Sequence, residues 1–582
     1  MRTAKIVCTL GPASSDRETV RSLAESGMSV ARLNASHGSI EDRAAAIDHV
    51  RAVDGTLDTT VAVMHDLSGP EIRTAPTDEP VHLETGSEVR FVAADRVTPE
   101  SVGLSASLDG VSEGDRVLLD DGRIETRVVG VGDGVRVRVE TGGGLGGRKG
   151  VNVPGVDLGL DLLTERDERE LDLAVEAGVD FVAASFVRDA DDVYRVSEAI
   201  ETRGAEIPVV AKIERADALE NLDGIVDAAG GVMIARGDLG VECPLEAVPL
   251  IQKRIIRRCR AAGVPVITAT EMLDSMVHER RPTRAEAADV ANAVIDGTDA
   301  VMLSAETAVG DYPVRVVETM ARIVRDIEAS GEYAERREQS VPSAEKSKTD
   351  AVARSARFLA RDLDATAIVA ASESGYTVHR AAKYRPSVPV FAATPSDRVR
   401  RQLALSGGVV PKHVSVDGDD ASAVVNRAVQ AALEAGVADG GDTVIALAGM
   451  MTELEGVNTT NMLKVHVAAE ILASGQPVIE GYATGTLHRT EDGDLSDAPE
   501  RAILVVPGRF DEELTGEFDR VAGVVDARGG MTSYVATVAR ELGVPMVGDV
   551  TLPREATDGT AVTLDGQRGV VYEGVLGERE TG

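Results

Sequence analysis

A chain of 582 residues is too long for a single hydrophobic core and is expected to hold several domains. Its formal net charge of −36, from 97 Asp and Glu against 61 Lys and Arg, excludes nucleic acid and anionic membranes as partners. With no Trp and only 3% aromatic residues, the cores must be packed from Val, Ala, Leu and Ile.

From the N-terminus, short apolar runs alternate with longer segments of helical periodicity. The runs are KIVCTLG, SVARLNA, VAVMHDL, FVAASFV, VVAKIE, VMIARGD, VITATEM and AVMLSAE, beginning at residues 5, 29, 61, 181, 209, 232, 266 and 300. Most of them end in a charged or hydroxyl residue. The spacing predicts helices over 15–27, 38–53, 164–178, 189–203 and 244–263. Gly27, Gly178 and Gly263 stand where a helix C-terminus favours glycine. Eight strand–helix units predict an α/β fold built on a (β/α)8 TIM barrel, over 1–70 and 156–332, with its active site at the C-terminal ends of the strands. Between the third and fourth runs, 71–155 alternates in SEVRFVAAD, DRVLLDD and VRVRVE, which predicts an inserted small β-barrel domain. It leaves the barrel on the active-site side, where a mobile lid is useful.

After about residue 330 the pattern changes. A polar stretch, EYAERREQSVPSAEKSKTD, leads into a helix around 349–362. ATAIVAASESG, VPVFAATPS, a helix near 420–435 and DTVIALAGM then predict a C-terminal open α/β domain over 333–475. The last segment, 478–582, reads as a separate β-rich domain with one clear helix.

Residues i and i+2 of a strand share a face. Lys212 and Glu214 in AKIE therefore point together, and so do Arg32, Asn34 and Ser36 in ARLNASHG. MHDLSGPEIR offers Asp66, then Glu71 and Arg73. ARGD offers Arg236, Gly237 and Asp238, and ATEM offers Thr270 and Glu271. Any one such pair reads as a surface salt bridge. In a barrel they all face one mouth. Two carboxylates there, Glu214 and Asp238, suit Mg2+ (or Mn2+) sharing its shell with substrate oxygens and water. Arg32, Arg73 and Lys212 beside such an ion suit phosphoryl chemistry, in which the protein positions phosphate and neutralises its charge.

The motifs KIVCTLGP, RLNASHG, GPEIRT, KGVNVPG, AKIE, ARGDLGVE, ATEMLDSM, RPTRAEAADVANAV and DGTDAVMLSAETAVGDYP, in this order, resemble the pyruvate kinase family over nearly the whole of residues 1–475. ASESGYT and NTTNMLKVH are similar to that family's C-terminal domain. The resemblance implies transfer of the phosphoryl group of phosphoenolpyruvate to ADP and protonation of the enolate to pyruvate, the last step of glycolysis, by a homotetramer. It implies that Arg32 binds the transferred phosphate and that Lys212 stabilises its developing charge. Glu214 and Asp238 would hold Mg2+, the backbone at Gly237 and Asp238 would receive the substrate carboxylate, and Thr270 would lie near the carbon that is protonated. Asn34, His37, Arg73 and Lys149 would meet the nucleotide. Arg284, Glu286 and Asp289 also match family motifs and read as structural pairs.

The resemblance further implies K+, held by oxygens of Asn34, Ser36, Asp66 and Leu67. Many relatives have Thr where Leu67 stands, but that role belongs to the backbone carbonyl. Glu71 is the form associated with K+ dependence, since a lysine there would supply the charge itself. Ser68 stands where many relatives have Lys, which bears on the nucleotide contacts.

GGMTSYVATVARELGVPMVG resembles the swivelling, mobile phosphohistidine domain of phosphoenolpyruvate-utilising enzymes. That family has His after Thr-Ser, and here the position is Tyr534, a poor substitute for an imidazole nucleophile. The fold is expected to persist without the chemistry. Gly529, Gly530, Thr532 and Ser533 would suit an anion at the following helix N-terminus, but packing between subunits is the favoured reading. The loop Ser372–Thr377 is a candidate cradle for a phosphorylated effector, with a plain strand-to-helix turn as the alternative.

Only nine of the basic residues are lysine. A surface dominated by carboxylates repels itself unless concentrated salt screens it, so the composition predicts a high-salt cytoplasm. Cys8, Cys243 and Cys259 offer neither a disulfide framework nor metal-ligand spacing. The opening MRTAKIVCTLGP lacks a signal-peptide core, and no apolar run reaches membrane-spanning length; a soluble cytoplasmic protein is expected. Two other readings were weighed. A synthase working through phosphohistidine is opposed by Tyr534. A catalytically dead regulatory protein is opposed by the intact set Arg32, Arg73, Lys212, Glu214, Asp238 and Thr270.

Overall fold

The computed structural model describes residues 2–415, 421–449, 460–469, 471–528 and 530–576. Gly529 of the tail motif and Asn458 and Thr459 of NTTNMLKVH lie outside the described residues. The chain divides into two compact units, Met1–Arg354 with Ser372–His413 and Ser355–Ala371 with Val414–Gly582.

In the first unit eight parallel strands close into a barrel: β1 (Lys5–Thr9), β2 (Val30–Asn34), β3 (Ala62–Asp66), β4 (Phe181–Ala184), β5 (Val209–Ile213), β6 (Gly231–Ala235), β7 (Val266–Ala269) and β8 (Ala300–Leu303). Each of the eight apolar runs supplies one strand. Closure is made by β8 against β1, with Lys5 opposite Ala300 and Cys8 opposite Leu303. The period of two in each strand separates two hydrophobic layers. Ile6, Val63, Val182, Val209 and Ile234 face outward and pack in the layer under the helices. Val7, Val30, Met64, Val210, Met233 and Ile267 fill the lumen with Ala404 and Leu405. Leu405 lies at the N-terminal end of the barrel, 3.8 Å from where a Cβ on Gly231 would stand. The same alternation then brings Arg32, Asp66 and Lys212 onto the inner face two residues after Val30, Met64 and Val210. The lumen is thus apolar at one end and charged at the other.

The helices begin where side chains satisfy their free N–H groups. Ser39 with Asp42, Thr164 with Asp167 and Thr283 with Glu286 form reciprocal capping boxes ahead of Ile40–Asp54, Glu165–Glu176 and Arg284–Asp296. Each such cap contributes about 1 kcal/mol. Gly263 ends Val248–Ala262 at φ 77°, a left-handed conformation that glycine adopts without steric cost.

Between β3 and β4, seven strands form a sheet in the order Ile72–Arg73, Gly150–Asn152, Arg116–Leu119, Ile124–Gly132, Gly134–Thr141, Glu88–Ala93 and Ser101–Leu104. The bridge Thr74–Leu104 joins its first and last strands, so the sheet curls back on itself around Phe91, Val117, Leu119, Ile124 and Val137. Later in the same unit, Val390–Thr394 and Val409–His413 pair in parallel beside the helices Tyr376–Lys383 and Asp397–Leu403.

In the second unit, Thr443–Ala448 pairs in parallel with Ala367–Ala371 and antiparallel with Met462–Val467. An eight-stranded mixed sheet follows, spanning strands from Ile471 to Glu573. The helix Tyr534–Leu542 covers part of it, burying Val535, Ala536 and Ala539 against Leu504 and Val524; Ile503, Val525, Val547 and Leu564 form a second cluster.

Candidate active site

The charged end of the barrel lumen is a connected set of ions. Arg32 directs Nε and Nη2 to Asp66 Oδ2, each at 2.6 Å, and Nη1 donates to Thr9 Oγ1 at 2.9 Å. Lys212 Nζ lies 2.7 Å from Glu214 Oε1 and 3.5 Å from Asp66 Oδ1, and it donates to Ser185 Oγ at 2.6 Å. Ser185 Oγ in turn donates to the Leu67 carbonyl at 2.8 Å. Glu214 Oε2 accepts the Phe186 N–H at 2.9 Å. Arg32, Asp66 and Glu214 are all buried.

Burial works against the ammonium of Lys212, but Asp66 and Glu214 outweigh it and hold the group charged. Burial likewise opposes ionisation of Asp66, and Arg32 and Lys212 outweigh it, keeping that carboxyl below its usual range. Glu214 goes the other way. Burial, with the neighbouring Asp238, pushes it up to about 7 against the pull of Lys212. Asp238 is raised as well, by burial and, against the pull of Lys212, by Glu71 and Asp121. Two carboxylates that resist ionisation side by side are an incipient cation site.

Asp238 sits in the first turn of the helix Arg236–Glu242, directly after β6, with Gly237 beside it. Thr270, after β7, has φ 74° and Glu271 has φ 54°, a rare conformation for residues with a Cβ. Arg236 pins that turn. Its Nε donates to the Ala269 carbonyl at 3.0 Å and its Nη2 to the Thr270 carbonyl at 2.7 Å, while Asp289 accepts from its Nη1 at 2.7 Å. A Cβ on Gly237 would lie 2.9 Å from Thr270 Cγ2, so only glycine lets the two segments approach this closely. Asp289 therefore acts through Arg236. Glu286 caps its own helix and accepts from the Ser275 N–H and hydroxyl.

On the other side of the mouth, Asn34 and Asp66 are register partners in β2 and β3. Asn34 Oδ1 accepts the Ser36 N–H at 3.0 Å, and Ser36 Oγ lies 3.2 Å from Ser68 Oγ. Leu67 follows Asp66, so the structure brings Asn34, Ser36, Asp66 and Leu67 together. Asp66 Oδ1 is buried, with the Lys212 ammonium 3.5 Å away. The loop after β2 is braced from below: Arg43 donates to the His37 carbonyl, Arg166 to the Ala35 carbonyl, and Arg43 pairs with Glu170, which also meets His65 Nε2 at 2.9 Å. His37 is held below its ordinary pKa by burial and by Arg73 and Arg32, so it is neutral at physiological pH. It lines a cleft of about 910 Å³ with Arg32, Asn34, Pro12 and Ala308.

Arg73 and Lys149 stand on the inserted sheet. Arg73 is paired with Glu71 at 2.7 Å and donates to the Arg148 carbonyl at 2.9 Å. Lys149 is paired with Asp120 at 2.8 Å. A second cleft, between insert and barrel, is lined by Glu71, Asp121, Asn152, Phe186, Asp238 and Glu242. Sequence reading missed Thr9, Ser185 and the Arg43–Glu170–His65 set. Only Ser185 carried a signal, as the hydroxyl at the end of the run FVAAS.

Comparison with known proteins agrees with this geometry. Residues 1–317 match the family profile described as pyruvate kinase, barrel domain, residues 350–466 match pyruvate kinase, alpha/beta domain, and residues 498–569 match PEP-utilising enzyme, mobile domain. The chain is 40% identical to a pyruvate kinase of Bacillus licheniformis over 99% of each chain. It is 41% identical to one of Geobacillus stearothermophilus over 98% of this chain and 99% of the other. A pyruvate kinase of Staphylococcus aureus (strain MRSA252) is 41% identical over 99% of each. A closed barrel with Lys212, Arg32 and Glu214 at its mouth, and similarity that runs from end to end, place this chain in the pyruvate kinase family.

Proposed function

We propose that the chain transfers the phosphoryl group of phosphoenolpyruvate to ADP at the barrel mouth, giving pyruvate and ATP, and that it does so in the cytoplasm. The observation that carries this reading is the convergence at the mouth of two cations, buried Arg32 paired with Asp66 and partly buried Lys212 paired with Glu214, beside Asp238. An oxygen of the ADP β-phosphate attacks phosphorus, the bond from phosphorus to the enol oxygen breaks, and the enolate left behind takes a proton at carbon. Lys212, kept charged by Asp66 and Glu214, neutralises charge on the transferring group, and Arg32 orients it. Thr270, fixed by Arg236 and Gly237, stands at the carbon to be protonated. Asn34, His37, Arg73 and Lys149 receive the nucleotide.

Glu214 and Asp238 fit a hard divalent ion. Among the described residues no cluster of three or more Cys, His, Asp or Glu is arranged to hold a metal. Two carboxylates completed by substrate and water are what Mg2+ prefers. When bound, the ion supplies Lewis-acid stabilisation of the negative oxygens. Lys212→Met is expected to keep the fold and to lower kcat by at least about 10²-fold. Pyruvate formation from phosphoenolpyruvate and ADP with Mg2+ in concentrated KCl measures this. An active variant, or an inactive but folded parent, would refute the assignment.

Asp66 Oδ1, the Leu67 carbonyl, Asn34 and Ser36 offer oxygens that fit a monovalent cation, and we assign K+ to them. A carbonyl has two lone pairs, so the Ser185 bond to Leu67 leaves one for the ion. Removing K+ at matched osmolarity is expected to abolish most activity; full activity would sink the assignment. The acid-rich, lysine-poor surface supports a halophilic protein whose thermal midpoint rises with KCl concentration. A flat response to KCl would argue against it.

Leu245 and Leu250, 74% and 70% exposed, give one face of the barrel an apolar surface that supports a homo-oligomer, and we propose a tetramer of the 61.0 kDa chain. Tyr534, whose hydroxyl accepts the Leu514 N–H at 3.2 Å, supports a packing role for the tail rather than phosphoryl transfer. Gly375, left-handed at the N-cap of Tyr376–Lys383, shapes the loop to which we assign a phosphorylated effector. Deleting 478–582 is expected to reduce the number of subunits in the assembly while leaving the response to sugar phosphates or nucleotides intact. An unchanged subunit number with a lost response would reverse the two roles.

A further inference from the structure

Away from the active site, the first unit brings two buried guanidinium groups together. Arg260, on the helix Val248–Ala262, and Arg385, after the helix Tyr376–Lys383, are 7% and 6% exposed. Their guanidinium groups meet at Gly297. Arg385 Nη2 donates to the Gly297 carbonyl at 3.1 Å, and a Cβ on Gly297 would stand 2.8 Å from Arg260 Nη1. Arg385 keeps this position at φ 48°, a left-handed backbone that only tight surroundings enforce.

The compensating charge is incomplete. Asp299 pairs with Arg385 at 2.8 Å, and its oxygens also accept the N–H groups of Gly407 and Val266 at 2.8 and 3.1 Å. Glu328 is the second carboxylate nearby; it accepts the N–H groups of Thr3 and Ala4 and shares its field with Arg2. Lys383 is taken by Asp350 at 3.0 Å and Glu345 at 2.9 Å. Arg260 reaches only the neutral Ser340, through Nη1 and Nη2, and Arg336 adds positive charge from beyond. Arg2, Lys5, Arg260 and Arg385 thus face Asp299 and Glu328, two negative charges short.

Two N–H groups of this cluster are also unsatisfied. Arg260 Nε and Arg385 Nη1 are buried without a hydrogen-bond acceptor among the described residues. Both arginines line a cavity of about 20 Å³, together with His379, Lys383, Ser406 and Asp299. His379 is kept neutral by burial and is bonded through Nδ1 to Ser406 Oγ at 3.2 Å. That volume holds one water or one atomic ion. A water would serve the two N–H groups but leave the charge uncompensated, and a buried charge must be paired.

We infer that this cavity binds one small monovalent anion of the halide class, chloride in the cell, which accepts from Arg260 Nε and Arg385 Nη1 and pins the segment Ser372–His413 to the barrel helix Val248–Ala262. Because the ion binds the folded chain, its concentration sets part of the stability.

The test uses the full-length protein at constant K+, with chloride replaced stepwise by gluconate, which is far larger than the cavity. The thermal midpoint is expected to rise and saturate with chloride, bromide to act like chloride, and Arg260→Gln to lose the saturable response. Crystals soaked in bromide are expected to show an anomalous peak within hydrogen-bond distance of both guanidinium groups. Equal midpoints in chloride and gluconate would overturn the inference, and so would a water in the cavity with no bromide peak. Should Arg260→Gln fail to fold, the bromide peak in the unaltered protein decides.

Discussion

An ammonium group removed from water has to be given back, by fixed carboxylates and hydroxyls, what hydration supplied. Lys212 meets that condition with Glu214 at 2.7 Å, Ser185 at 2.6 Å and Asp66 at 3.5 Å, and Asp66 can serve only because Arg32 holds its other oxygen. Removing one partner of such a buried pair costs about 3–5 kcal/mol. Much else in the first unit follows from keeping this set in place. Thr9 fixes Arg32, the Leu67 carbonyl fixes Ser185, and the Phe186 N–H fixes Glu214. The apolar lumen beneath supplies the low dielectric that makes each of these interactions count.

The barrel was legible because its signal is local. Each strand is a contiguous apolar run, and the alternation that fills the lumen with Val30, Met64 and Val210 carries Arg32, Asp66 and Lys212 inward by the same arithmetic. The shared direction of Lys212 and Glu214 followed from i and i+2 alone. What could not be read is what depends on partners far apart in sequence. Glu170 joins Arg43 to His65, and Asp289 reaches Thr270 only through Arg236. No spacing rule connects residue 43 with residue 170. The glycine at 237 could be noticed in ARGD, but its reason, the approach of Thr270 Cγ2, lies in another strand's loop.

Strain collects around the same residues. Phe186, Thr270 and Glu271 all have positive φ, and each follows a barrel strand. The three lie where backbone groups are turned toward the mouth: the Phe186 N–H toward Glu214, the Thr270 carbonyl toward Arg236. A left-handed residue with a side chain costs of order 1–3 kcal/mol and persists where its surroundings over-determine it. Here Arg236 with Asp289 on one side and Gly69 with Ser185 on the other supply that determination.

Closure of the barrel pairs residue 5 with residue 300, and the ions at its mouth come from strands as distant as β2 and β5. A ribosome adds about 5–20 residues per second, so the first strand waits roughly 15–60 s for its last neighbour to emerge. Arg32, Asp66 and Lys212 lie on strands made well before β8, but the apolar lumen beneath them closes only when β8 pairs with β1. A chain that ends before β8 carries the charged residues without the closed lumen whose low dielectric makes their interactions count. High contact order makes that closing step slow.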